Sequence, residues 1–175
     1  LARDIAQQRV NAKFSTEGNE IIKVPKPLII KEGAKVMSLI DGNKKMSKSD
    51  PNENSRITLL DSPELISKKI KRAKTDSIIG LEFDNSKRPE ANNLLSLYSI
   101  LSGSGREIAA KECASMGWGS FKPLLTEVTI ASLEPIQNKY KELMNDRTEL
   151  NQILDEGRTK ADEVAQNTLK KIQIA

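Results

Sequence analysis

The chain has 175 residues, of which 37% are apolar and 30% charged, with a formal net charge of +4. That is enough for one ordinary domain or two small ones sharing a seam, and too little charge to identify an anionic partner by itself. The absence of histidine excludes imidazole proton transfer and imidazole metal ligation within these residues, and the single cysteine, Cys113, excludes an intrachain disulfide and fits a reducing, cytosolic setting. No apolar run approaches the roughly 18 residues of a membrane-spanning helix.

In chain order, residues 1–14 read as the middle of an amphipathic helix, with Ile5, Ala6 and Arg9 flanking its turn. A chain that starts inside a helix is expected to be a piece of a longer one, and KIQIA at the other end likewise stops inside a helical pattern. Residues 15–33 read as loop, with at most a short strand at Ile21–Val24. Pro25 and Pro27 prevent a helix there and disfavour a central strand. Ala34–Ile40, bounded by Gly33 and by Asp41-Gly42, has the profile of a mostly buried strand ending in a turn. The segment after it is polar and basic. From Lys44 to Lys74 there are nine Lys or Arg against four acids, more than the whole positive surplus of the chain.

Ser62 and Pro63 open the next helix as cap and first helical residue. Leu65, Ile66, Ile70 and Ala73 form its stripe, and Lys68, Lys69, Lys71, Arg72 and Lys74 cover its other faces. Residues 75–89 read as a linker. Helices are predicted over 90–102, 105–116 and 121–144, the last with a kink at Pro135. Asp146 caps a short helix to about Leu154, and Thr159 caps a final one. With three Phe, two Tyr and one Trp, the core must rest mainly on aliphatic side chains. Trp118, between Gly117 and Gly119, is either a local packing anchor or a stacking surface for a base. Cys113 reads as buried and inert.

The segment with most chemistry is Lys45-Met46-Ser47-Lys48-Ser49, followed by Asp50-Pro51-Asn52. Two lysines three apart on a loop can be aimed at one polyanion. Small hydroxyl residues between them allow close approach, and an ammonium tolerates a phosphate chain whose charge moves during reaction. A solvated charged turn and a linear basic signal for a protein or nucleic-acid partner remain alternatives. A non-catalytic helical nucleic-acid-binding module and a structural helical adaptor are the rival functions, but neither needs a phosphate loop joined to a strand.

These residues carry a family resemblance. KMSKS marks class I aminoacyl-tRNA synthetases. Gly33–Asn52, Ile70–Ser77, Glu134–Asp146 and Asp155–Ala165 resemble blocks of the bacterial tryptophanyl-tRNA synthetases, in family order along nearly the whole chain. Tyrosyl-tRNA synthetases share the loop and fit the helical blocks less well. The resemblance implies an α/β to mostly α fold. Residues 1–60 would be the C-terminal part of a Rossmann-like catalytic domain, and residues 61–175 a helical domain with the anticodon-binding bundle. It implies Lys45 and Lys48 as catalytic residues. Val36, Met37, Lys45, Met46, Ser47, Lys48 and Ser49 would form the ATP side, with Mg²⁺ arriving on ATP and no metal held by the chain itself. The implied partners are tRNA(Trp) and, in the full-length parent, a second subunit, with neither membrane nor DNA. Lys122, Lys139, Lys141, Arg147, Arg158 and Lys160 are candidate tRNA contacts, each also readable as ordinary solvated surface. The isolated chain is expected to be inactive, since the loop supplies one side of a nucleotide site.

Overall fold

The computed structural model describes residues 1–15, 20–30 and 33–174. The predicted loop at 15–33 therefore lies partly outside the described residues. No strand occurs among those described, and the chain is mostly helical. It divides into two compact units, one of residues 1–28 with 142–175 and one of residues 29–141.

In the first unit, α1 (residues 2–14) is helical as its pattern predicts. Its middle, Ile5–Asn11, is wound with i→i+5 hydrogen bonds. The strand expected at Ile21–Val24 does not form. Asn11 supplies the missing pairing instead: its amide donates to the Ile22 carbonyl at 2.7 Å and its oxygen accepts the Ile22 N–H at 3.0 Å. The other large element of this unit is α6 (Arg147–Ile174), a single helix of 28 residues where two were predicted. Asp146 caps it as expected, accepting the N–H groups of Thr148 and Glu149 at 2.9 and 3.1 Å. The second start fails because Thr159 does not cap. Its hydroxyl donates back to the Asp155 carbonyl at 2.9 Å, inside the helix. Gly157 costs about 1 kcal/mol relative to alanine without interrupting the winding.

The second unit holds α2 (Pro63–Arg72), α3 (Pro89–Ser102), α4 (Gly105–Cys113) and most of α5 (Trp118–Asn145). The Ser62 cap on α2 forms as predicted, with the Leu65 N–H donating to Oγ at 3.3 Å. The core joins Ile66 and Ile70 to Leu94, Leu95, Phe121 and Leu125. Aliphatic side chains dominate it, yet aromatics mark its centre. Phe121 meets Tyr98 and Trp118 edge to face, each at 5.9 Å between ring centres. Trp118 is thus a packing anchor, and its indole N–H donates to Asp76 at 3.2 Å. Cys113 is fully buried, and burial with Glu112 nearby pushes its thiol up to about 11.

One expectation is corrected by buried charge. Lys69 is not on a solvated face of α2. It is 3% exposed and paired with Asp61, which also accepts from the Thr58 hydroxyl at 2.6 Å and N–H at 3.1 Å. Sequence cannot separate such a lysine from its neighbours, because its partner lies before the helix. Residues 75–88 form no helix or strand, as expected of a linker, and buried charge fixes them. Arg88, 5% exposed, donates to the Asp76 carboxylate at 2.7 and 3.0 Å and to the carbonyls of Gly80 and Ile78 at 2.8 and 3.2 Å. One guanidinium thereby organises the whole connection into α3.

Burial pushes the Asp61 carboxyl up, but hydrogen bonds from Lys69 and Thr58 outweigh it and hold the group below its usual range. A depressed folded-state value stabilises above the unfolded value and is lost as pH falls through the folded one. The unfolding midpoint should therefore fall below about pH 4, and less steeply in Asp61→Asn, as followed by thermal melts across pH. Lys69→Ala should cost about 3–5 kcal/mol in urea unfolding, because it leaves a buried carboxylate uncompensated.

Candidate functional site

The segment expected to be a strand, Ala34–Ile40, forms only one antiparallel bridge, between Met37 and Lys45. An isolated strand cannot satisfy both of its edges, and here partners exist for only a few residues. On one edge the Ser38 N–H donates to the Lys44 carbonyl at 2.8 Å, and the Met46 N–H to the Val36 carbonyl at 2.9 Å. Met37 and Lys45 are therefore a non-hydrogen-bonded pair, whose own peptide groups face outward. On the outer edge Asn93, from α3, takes the place of a strand. Its oxygen accepts the Met37 N–H and its amide donates to the Met37 carbonyl, both at 2.9 Å. Beyond the pair, Leu39 is 2% exposed; its N–H donates to the Ser55 carbonyl at 2.9 Å and its carbonyl accepts the Lys74 N–H at 2.8 Å.

The turn that reverses the chain sits on the first turn of α3. The Lys44 N–H closes it on the Asp41 carbonyl at 3.0 Å. Gly42 is buried, and a Cβ there would lie 2.6 Å from backbone atoms of both Pro89 and Glu90. Glu90 pairs with Lys74 at 2.8 Å. Burial pushes the Glu90 carboxyl up, and hydrogen bonds from Lys74 and from the backbone N–H groups of Glu90 and Gly42 together outweigh it, leaving it below its usual value.

From this base the loop projects Lys45, Ser47, Lys48 and Ser49 into solvent, while half-buried Met46 turns inward onto the core. Met46 and Val36 line an apolar cavity of about 210 Å³ with Leu39, Ile57, Leu97 and Leu125. The Ser47 and Ser49 hydroxyls are 3.1 Å apart, and the Ser49 N–H donates to Ser47 Oγ at 3.3 Å. Asp50 closes the loop: its N–H donates to the Ser47 carbonyl at 3.3 Å, and its carbonyl accepts from Arg56 at 2.7 Å. Neither Lys45 nor Lys48 has a protein partner among the described residues. The arrangement presents two exposed ammonium groups and two hydroxyls on a loop with a fixed base. It can meet the oxygens of a polyanion.

The other candidates do not join this site. Lys122 donates to the carbonyls of Lys71 and Ala73 at 3.0 and 2.8 Å, finishing the C-terminus of α2, and burial pushes its ammonium down. Lys139 and Lys141 are exposed on α5. Arg147, Arg158 and Lys160 are exposed on α6, where Arg158 pairs with Asp155 at 3.4 Å and Lys160 lines a shallow face with Asp155, Glu156 and Glu163. Sequence reading missed Asn93, Glu90 and the steric demand on Gly42. The available signal was Asn93 itself, a polar residue directly before the buried Leu94-Leu95 of α3.

Gly42→Ala should lower stability by about 1–3 kcal/mol, since the methyl group must displace helix backbone rather than a flexible side chain. Urea unfolding measures it, and Gly103→Ala is not a substitute control because Gly103 holds a left-handed φ of 69°.

The family described as tRNA synthetases class I (W and Y) matches residues 1–134. The tryptophan–tRNA ligase of Prochlorococcus marinus strain MIT 9313 is 66% identical over all 175 residues, which span 52% of that relative. The crystal structure of tryptophanyl-tRNA synthetase from Mycoplasma pneumoniae superposes with a TM-score of 0.81 at 30% identity, covering 97% of this chain and 49% of that one. The Campylobacter jejuni enzyme, complexed with ADP and tryptophan, gives 0.64 at 29% identity, covering 97% and 50%. The chain thus spans about half the length of the relatives it matches. A family match over most of its length places this chain in the class I tRNA synthetases of the W and Y type.

Proposed function

We propose that the chain is the C-terminal half of a tryptophan–tRNA ligase and supplies the phosphate-handling loop of that enzyme. The observation that carries this reading is the pair of exposed lysines, Lys45 and Lys48, without side-chain partners among the described residues, on a hairpin with a fixed base. The high identity to a tryptophan–tRNA ligase favours tryptophan over tyrosine. In this reading the tryptophan carboxylate attacks the α-phosphorus of ATP, forming tryptophanyl-adenylate as the bond to the pyrophosphate leaving group breaks. The 2′-hydroxyl of the terminal tRNA ribose then takes the acyl group, and AMP leaves. ATP arrives with its Mg²⁺ as substrate.

Charge builds on the leaving phosphates in the first step, and Lys45 and Lys48 meet it there. Ser47 and Ser49 contact phosphate oxygens or shape the closed loop. The backbone of Val36 and Met37 borders the adenine, and Met46 holds the loop to the core below. Residues 1–60 belong to a Rossmann-like catalytic domain completed by the other half of the enzyme, and residues 61–175 to a helical domain that reaches the anticodon. Exposed Lys139, Lys141, Arg147, Arg158 and Lys160 are the tRNA contacts of this reading, and Lys122 contributes by holding the end of α2. The whole enzyme would act as a cytosolic homodimer on tRNA(Trp).

In the full-length enzyme, Lys45→Ala should slow adenylate formation by about 10²-fold or more with little change in ATP affinity. Lys48→Ala should act in the same direction, and the double substitution should cost less than the product of the two, because both charges serve one phosphate chain. Single-turnover kinetics at saturating ATP read this. A normal first-step rate with only weakened ATP binding would sink the proposed role.

A further inference from the structure

We propose that Asn93 is a positioning residue for Lys45, its carboxamide fixing the Met37–Lys45 pair and so the direction in which the Lys45 side chain leaves the hairpin. The proposal rests on the ligase reading above. Met37 and Lys45 face each other across the bridge, so whatever fixes the Met37 peptide also fixes the backbone from which Lys45 projects. That peptide faces away from the hairpin and would otherwise need a third strand. Asn93, 56 residues later and only 4% exposed, meets both of its polar groups at 2.9 Å.

A carboxamide suits this task because it holds one acceptor and one donor in a rigid plane, matching the N–H and C=O of one residue. The opposite amide orientation would set oxygen against carbonyl and N–H against N–H, so the network selects the orientation described. The same device joins Asn11 to Ile22, where another expected strand is missing. At Met37 it does more than satisfy a loop, because α3 holds the hairpin at a second point. Gly42 packs on Pro89 and Glu90, one helical turn before Asn93. The ATP-handling loop is thereby tied to the first two turns of α3, which Arg88 anchors in turn through Asp76. A neutral, buried amide has no need to touch substrate to matter here; it acts through Lys45.

The test uses the full-length ligase and four forms: unsubstituted, Asn93→Asp, Lys45→Ala and the double variant. Asn93→Asp keeps the size and the acceptor but turns an oxygen toward the Met37 carbonyl. Single-turnover adenylate formation should slow by about 10²-fold, with KM for tryptophan unchanged. In the Lys45→Ala background the same substitution should add no more than about twofold, since the lysine it orients is gone. Equal losses in both backgrounds, or a normal first-step rate in Asn93→Asp, would overturn the proposal. Should Asn93→Asp fail to fold, hydrogen exchange on the unsubstituted enzyme decides. The Met37 amide must be protected far beyond that of Lys48, and exchange at the same rate would overturn the clamp. A normal first-step rate in Lys45→Ala would instead remove the ligase role of the loop and this proposal with it. A slow Lys45→Ala beside a normal Asn93→Asp would overturn this proposal alone.

Discussion

In the second unit the base of the loop depends on one residue whose outer N–H and C=O have no strand to pair with. Met37 lies in a segment whose sequence asks for a sheet, in a chain whose described residues form none. A backbone group left unpaired as it is withdrawn from water costs up to about 1–3 kcal/mol, so the outer edge of half-buried Met37 gains from a partner. Asn93 supplies it from a helix. The loop carrying Lys45 and Lys48 then inherits its base from helix packing rather than from a sheet. This makes α3 the reference element of the site, with Gly42 below it and Arg88 at its start.

Buried charge organises the remaining irregular chain in the same way. Asp61 and Lys69 join the segment before α2 to the body of that helix, and Arg88 gathers Asp76, Ile78 and Gly80. Lys122 closes the end of α2 from α5. In each case a cation that could have faced solvent satisfies backbone carbonyls or a carboxylate. The consequence for function is a division of labour among the lysines. Those that hold the fold are engaged, whereas Lys45 and Lys48 are exposed and have no side-chain partner among the described residues.

Local signals explain which elements were legible. The Ser62-Pro63 start, the Asp146 cap and the aliphatic stripe of α2 are short-range features, and each reappears in the structure. Thr159 was misread because capping and back-bonding to the preceding turn use the same hydroxyl, and only the surrounding backbone selects between them. Ala34–Ile40 was misread for a different reason. Its apolar pattern is that of a buried strand, and most of the partners such a strand needs are not among the described residues.

The sequence by itself determined the helical character of the chain, the KMSKS loop and its two lysines, and the isolation of Cys113. These depend on residue type and on spacings of a few positions. Only the tertiary structure decided which charges are free and which are buried, why Gly42 must be glycine, and that Asn93 completes the edge of Met37. Those depend on residues brought together from 8 to 56 positions apart, and the pattern of a sequence carries side-chain periodicity but not the pairing of its unsatisfied polar groups.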